Sequence, residues 1–523
     1  MLILLRKYFL PILIITLILR IEHNLVFSNL TIDKAIQLAA TYSFKHGDGI
    51  LLPAAYVSNN LKAEFIPFSG WPPGYTFCLM PAYLITSDLL LAQQLTDGIF
   101  IILLFILILR LFRKLLPINY KEAFAIFCLL NAFGFSPFHY FSSTDLIAVT
   151  FFIWSILKCH ELIEAPSTRN AVMAGILLFM SALVRFSYLP LAFLIPLTIA
   201  ALSFKKPGKH LFRKSLIFFS VSGMLSIALY VFEKTYYGTG TYLEKAKHAI
   251  NPGELLTMDP FLWRSFFFTD TFENKFAEGS APALLVRLAE VALTIFLLFL
   301  FFRRVYQAFK KAESASAYLN VWAISFLTTI GMLGFLTVIS PPQSFTGNDH
   351  WTYFSETRYF APVIILMQVF LIHFLFRNTE NSAGLRRSIA GLFALSVIVA
   401  FGYNSFKHYK LLVQNDRQGT YEYDQKQHLD PARWLLKTNT SSKRVLVAAP
   451  NRTTMTVAAV AGGIPVMSYD SLLNHATAID PSLPILIQFD RPLTDKQKEF
   501  ISKNNVTFSF SSGEKDWYQK NLQ

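Results

Sequence analysis

Runs of about twenty apolar residues, repeated along the chain and separated by short basic loops, constrain this sequence more than any other feature. A helix needs roughly 20 apolar residues to cross the hydrocarbon of a bilayer. The first run spans Tyr8 to about Val26, behind Arg6 and Lys7. Others begin near Thr96, Ala123, Leu146, Ala171, Tyr188, Ser215, Leu284, Tyr318, Tyr359 and Ile389. That predicts an all-α polytopic membrane protein of about 11 transmembrane helices. Composition agrees: of 523 residues 53% are hydrophobic and only 15% charged, whereas a chain whose surface faces water carries about 25% charged residues. No small-residue cleavage site follows the first run, so it reads as an anchor rather than a signal peptide.

The net charge of +14 raises the question of a nucleic-acid partner, and the placement of the cations answers it. They fall between apolar runs: Arg110, Arg113 and Lys114; Lys205, Lys206, Lys209, Arg213 and Lys214; Arg303, Arg304, Lys310 and Lys311; Arg386 and Arg387. One threading puts all of these inside: a cytoplasmic N-terminus, with residues 27–95, 233–283, 341–357 and the tail beyond about 405 outside. This pattern suits membrane lipids and the anionic inner leaflet of a plasma membrane, not nucleic acid. The threading requires the run from 171 to 203 to split at Arg185 into two spans joined by a tight outer turn. Cys78, Cys128 and Cys159 lie in or near apolar runs and read as small buried hydrophobes.

The first outer loop, residues 27–95, is too long for a simple connector. Thr31–Phe44 within it has an apolar stripe of Ile32, Ala35, Ile36, Ala39 and Ala40, the pattern of a helix lying along the membrane surface. The tail, residues 406–523, has another texture. Short apolar runs at Arg444–Ala449, Pro484–Phe489 and Val506–Ser509 alternate with helical spacing at Pro431–Lys437 and Thr494–Lys503, which predicts a small extracytoplasmic α/β domain. Gly462-Gly463 lacks the spacing of a nucleotide-binding fingerprint.

With charge confined to loops, acids and arginines at the outer boundary are the candidates for chemistry. Asp33 follows the first span and Asp145 stands in the short turn Ser142-Ser143-Thr144-Asp145. Each has a plain alternative, an acid favoured by the dipole at a helix start. Two carboxylates on one membrane face also suit a shared reaction centre or a divalent ion. Arg185 and Arg358 sit at the edges of apolar runs, where arginines are paired, functional or snorkelling; a guanidinium matches phosphate oxygens bidentately. Arg358 also has Glu356 as an in-sequence partner. Trp71-Pro72-Pro73-Gly74-Tyr75 combines rigid prolines with interfacial aromatics, and His350, Trp351 and Tyr353 form either a polar pocket wall or an aromatic belt.

In their order these parts resemble the GT-C superfamily of membrane glycosyltransferases, especially bacterial members akin to protein O-mannosyltransferases and the aminoarabinose transferase of lipid A. The likeness covers roughly residues 1–405. It rests on Asp33 through Gly49, the Pro72-Pro73-Gly74-Tyr75 element, Asp145, Ala174-Gly175-Ile176 through Leu183-Val184-Arg185, and the Arg358-Tyr359 pair. The resemblance implies transfer of a sugar from a polyprenyl-phosphate donor to a glycan, lipid or protein acceptor on the outer face, usually with inversion. It implies Asp33 as base and Asp145 as an aid to positioning substrate or a divalent metal. It further implies Arg185 and Arg358 near the lipid phosphate; Tyr359, His350 and Tyr75, read from their places at the outer boundary, join them on the substrate side. Many relatives carry a second acid after the first or an Arg before it; Ile32-Asp33-Lys34 has neither. The alternative function is a transporter or flippase for lipid-linked glycans, whose mark would be internal repeats and ionisable residues at mid-membrane; the sequence shows no repeat. A structural envelope subunit would leave Asp33, Asp145 and Arg358 without purpose.

Overall fold

A computed structural model describes residues 2–26, 32–47, 49–55, 63–67, 72–132, 143–203, 209–237, 280–311, 315–339 and 357–377. It also describes isolated positions between 397 and 413 and, in the tail, 446–449, 466–468, 485–490, 492–503, 506–512 and 515–520. The chain divides into two compact units. The first comprises residues 1–23, 70–72 and 97–410, the second residues 24–69, 73–96 and 411–523.

Helices stand at ten of the eleven expected spans. They are α2 (Phe9–Val26, behind the short α1, Leu2–Lys7), α5 (Leu89–Leu115), α6 (Tyr120–Leu130), α7 (Ser143–Glu164) and α8 (Thr168–Val184), followed by α9 (Leu191–Ser203), α10 (Lys209–Tyr237), α11 (Ala281–Lys311), α12 (Ala315–Ile339) and α13 (Ala361–Arg377). The expected span from Ile389 lies almost wholly outside the described residues. Among the described residues, four segments are individually long and apolar enough to cross a membrane: 89–115, 144–164, 186–203 and 210–236. Exposed apolar stripes at helical spacing, Ile99, Ile102 and Ile106 on α5 and Met224, Ile227 and Val231 on α10, would be an aggregation liability in water and are at rest against lipid.

The first unit is organised by a helical hairpin. Ser167 caps α8 by accepting from the Asn170 amide at 3.1 Å, and the turn 165–167 folds α8 back along α7. Ser155 Oγ donates to the Ala174 carbonyl at 2.9 Å across this hairpin. On its other face α8 packs against α10 at a glycine: a Cβ on Gly175 would stand 2.9 Å from Val221 Cβ and 3.2 Å from the Phe218 carbonyl oxygen. The expected split of 171–203 is present. Arg185 leaves the helix with extended backbone (φ −150°, ψ 120°), a short 3-10 turn runs Phe186–Tyr188, and Pro190 leads into α9, where its missing N–H costs nothing. Aromatic packing fills the interior: Phe105 and Phe112 of α5 meet Phe124 and Phe127 of α6, and Trp322 of α12 stacks on Phe326 and donates to the Val363 carbonyl of α13.

In the second unit α3 (Ile32–Lys45) packs against α4 (Gly74–Thr86) and the strand β1 (Leu51–Ala55), which pairs antiparallel with β2 (Ala63–Pro67). The helix expected over Thr31–Phe44 is present, and the described part of its apolar stripe packs inward. Gln37, Thr41 and Ser43 are buried together with Ile36, Ala39 and Ala40, and Thr41 Oγ1 donates to Thr76 Oγ1 at 3.2 Å. Gly47 and Gly49, both at positive φ, end it. The tail forms a five-stranded mixed sheet of β3 (Leu446–Ala449), β4 (Val466–Ser468), β5 (Ile485–Asp490), β6 (Thr507–Ser512) and β7 (Lys515–Lys520), in the order β4-β3-β5-β7-β6. β3 runs parallel to β4 and β5, and the β6–β7 hairpin adds antiparallel strands on the β5 side. A helix, α14 (Asp495–Lys503), follows β5.

Candidate active site

The α7–α8 hairpin places chemistry at one of its ends. The helices are antiparallel and of similar length, so the start of α7 lies beside the end of α8. Asp145 occupies the first turn of α7, where the helix dipole favours an anion, and Arg185 is the C-cap of α8, where it favours a cation. Arg185 Nε lies 2.8 Å from Asp145 Oδ1, with side chains 9% and 1% exposed. Arg185 Nη1 donates to Thr144 Oγ1 at 3.4 Å. The guanidinium sits 5.0 Å from the ring centroid of Tyr359, a residue of the 3-10 turn Thr357–Phe360 that leads into α13. Two consecutive helices and a turn far along the chain thus converge on one arginine.

The opposite end of the hairpin is charged differently. Lys114 Nζ contacts Glu164 at 3.2 Å, and Lys214 Nζ donates to Thr168 Oγ1 at 2.7 Å. Between Asp145 and Glu164 the helix rises about 30 Å, at about 1.5 Å per residue, roughly the thickness of the hydrocarbon. Lys114 and Lys214 therefore contact one end of the membrane-length hairpin and the Asp145–Arg185 pair occupies the other.

Of the other expected site residues, Asp33 lies on α3, but its side chain is outside the described residues. So is that of Arg358, whose backbone belongs to the Thr357–Phe360 turn, while His350 is outside altogether. Tyr75 is buried at the start of α4, beside Thr76 and behind the buried prolines Pro72 and Pro73. The structure brings together Asp145, Arg185 and Tyr359; Asp33 and Tyr75 belong to the second unit.

Sequence reasoning missed two groups. One is a buried set facing between α2 and α5, where Arg20 lies within electrostatic reach of Asp97. Arg20 was legible as a cation eleven residues into an apolar helix. The other is Tyr188, whose ring packs edge-on against Phe152 with centroids 5.6 Å apart. The described residues do not assemble a cation site: no three His, Cys, Asp or Glu among them lie together, and Asp145 already faces a guanidinium.

No protein-family model and no curated protein sequence matches the chain. Solved structures do. ArnT from Cupriavidus metallidurans bound to undecaprenyl phosphate aligns with a TM-score of 0.57 at 10% identity, over 98% of this chain and 98% of that one. The apo state of ArnT from the same organism gives 0.50 at 10% identity, over 98% and 97%. The chain has the GT-C fold. It is a polytopic membrane protein built on that fold. The alignment runs the length of both chains, so the tail beyond 405, which resembles nothing nameable in sequence, falls within the likeness.

Proposed function

We propose that this chain is an integral-membrane glycosyltransferase that takes a sugar from a polyprenyl-phosphate-linked donor and transfers it to a glycan, lipid or protein acceptor. In this reading the reaction occurs on the outer face of the plasma membrane, with residues 1–405 as the transferase and 406–523 as an extracytoplasmic domain. The observation that carries it is the buried Asp145–Arg185 pair, with Tyr359 against it, at one end of a membrane-length hairpin, in a chain whose fold is that of a protein crystallised with undecaprenyl phosphate.

The chemistry needs few parts. A sugar on a lipid phosphate is already activated, so no nucleotide-binding fold is required. Inverting transfer needs one base to take the proton of the attacking hydroxyl, and Asp33, at the start of α3, has that role. It also needs cations where phosphate charge develops as the glycosidic bond breaks. Arg358 carries that part. Asp145 orients substrate, fixed in turn by Arg185. A phosphate leaving group departs without the second carboxylic acid that a glycosidase needs.

The test is transfer by purified protein in lipid vesicles, offered undecaprenyl phosphate bearing radiolabelled mannose, glucose or aminoarabinose with extracts of its own envelope as acceptor. A deletion strain profiled for envelope glycans and lipids should lack one sugar. An unchanged profile, together with no transfer from any of the three donors, would reject the reading.

A further inference from the structure

The phenol of Tyr188 is 1% exposed, and its hydroxyl has no hydrogen-bond partner among the described residues. Buried polar groups are nearly always satisfied, so an orphaned donor marks a place where something outside the chain supplies the partner. Its setting is not apolar. The 3-10 turn ties Tyr188 to Arg185 through a 3.1 Å bond from the Tyr188 amide to the Arg185 carbonyl, and the phenol lies within electrostatic reach of both Asp145 and Arg185. On α7, Asp145 and Phe152 are seven residues, two turns, apart and so share the face that meets this turn. Phe152 holds the ring of Tyr188 while Asp145 holds Arg185.

The chemistry of the missing partner follows from charge. Asp145 and Arg185 cancel, so the cluster offers no net attraction to a phosphate. What it offers is a carboxylate that accepts, guanidinium N–H groups that donate, and a phenol that does both. That set matches neutral hydroxyl groups, each of which donates once and accepts once. Tyr359, whose ring lies against the guanidinium, is only half-buried.

Resting on the glycosyltransferase reading above, we propose that Tyr188, with Asp145 and Arg185, binds the hydroxyl groups of the donor's sugar ring, while the lipid phosphate is held elsewhere. Tyr188 is then a sugar-binding residue that sets which donor is accepted. Bare undecaprenyl phosphate and undecaprenyl phosphate carrying mannose, glucose or aminoarabinose are the probes, with binding measured on the purified full chain. Tyr188→Phe, which removes only the orphaned hydroxyl, should weaken the best glycosylated lipid by about tenfold, as loss of one ligand hydrogen bond does. Binding of the bare lipid and the unfolding temperature should stay as in the wild type. Equal weakening of bare and glycosylated lipid would place the hydroxyl on phosphate and overturn the inference. Unchanged binding of both would make its partner a buried water, and a lower unfolding temperature would make its role structural; either overturns it. Wild-type protein that binds bare undecaprenyl phosphate but no glycosylated form more tightly would also overturn the sugar subsite. Wild-type protein that binds neither lipid would instead sink the proposed function itself.

Discussion

Arg185 Nε and Asp145 Oδ1 meet at 2.8 Å where the end of one helix adjoins the start of its antiparallel neighbour, both side chains buried. Helix dipoles favour each charge at its own end, and the pair removes two isolated ions from an apolar surround, where each would be expensive. Arg185 has five N–H groups in a rigid fork; Asp145 and Thr144 take two, and the Tyr359 ring covers a face. Its orientation is therefore set before substrate arrives.

Breaking that pair on one side leaves a buried charge uncompensated. Arg185→Met should lower the unfolding free energy by about 3–5 kcal/mol. Adding Asp145→Asn to it should restore part of the loss, because the double variant buries no lone ion. Thermal unfolding in detergent across the four-member cycle reads the coupling. Strictly additive losses would mean that the two side chains do not depend on each other.

Gly175 makes a second, independent claim about the same hairpin. Its hydrogen sits where α10 comes closest, and an added Cβ meets Val221 and the Phe218 carbonyl. Gly175→Ala should cost about 1–3 kcal/mol through overpacking. Gly98 on α5 has nothing within 4 Å of an added Cβ, so Gly98→Ala should be neutral or stabilising by up to about 1 kcal/mol, the helix-propensity gain. Unfolding temperatures that move in the same direction for both would refute the packing account of Gly175.

The sequence carried the membrane architecture well because its signals are local. Apolar runs of membrane length locate spans, and the split at Arg185 followed from the sidedness of later basic clusters. The strands near 446, 485 and 507 were likewise visible as apolar or alternating runs. What stayed hidden depends on partners. β7 reads Lys-Asp-Trp-Tyr-Gln-Lys, a polar segment that becomes a strand through its antiparallel pairing with β5 and β6. The hairpin β1–β2 holds two prolines and shows no clean alternation. At the site, Asp145, Arg185 and Tyr359 were each singled out, but that all three meet is a property of the hairpin and of α13. Tyr188 looked like one aromatic in an apolar run, since the sequence does not say whether its hydroxyl is satisfied.

Asp33 stands at the second residue of α3, a position a carboxylate occupies at little cost whether or not it reacts. The transferase reading separates these roles. Asp33→Asn keeps the size and hydrogen-bonding capacity of the side chain and removes its basicity, so the variant should insert and unfold as the wild type does while transfer falls by about 10²–10⁴-fold, the usual worth of a general base. Transfer within a fewfold of wild type would remove Asp33 from the mechanism and leave it an ordinary first-turn acid.

Sidedness ties these residues to one compartment. If the basic clusters face the cytoplasm, the α7 end carrying Asp145 faces out, and an odd number of crossings sends the C-terminus outside as well. A pair of reporters fused after Gln523, one active only in the cytoplasm and one only beyond the membrane, should report an external location. The same pair fused after Lys206, in the basic stretch of sequence between α9 and α10, should report a cytoplasmic one. A cytoplasmic C-terminus with Lys206 also inside would mean that a span after α10 is miscounted, and would leave the Asp145 end of the hairpin facing out. Lys206 outside would turn the hairpin over and put Asp145 and Arg185 on the wrong side of the membrane for the proposed reaction.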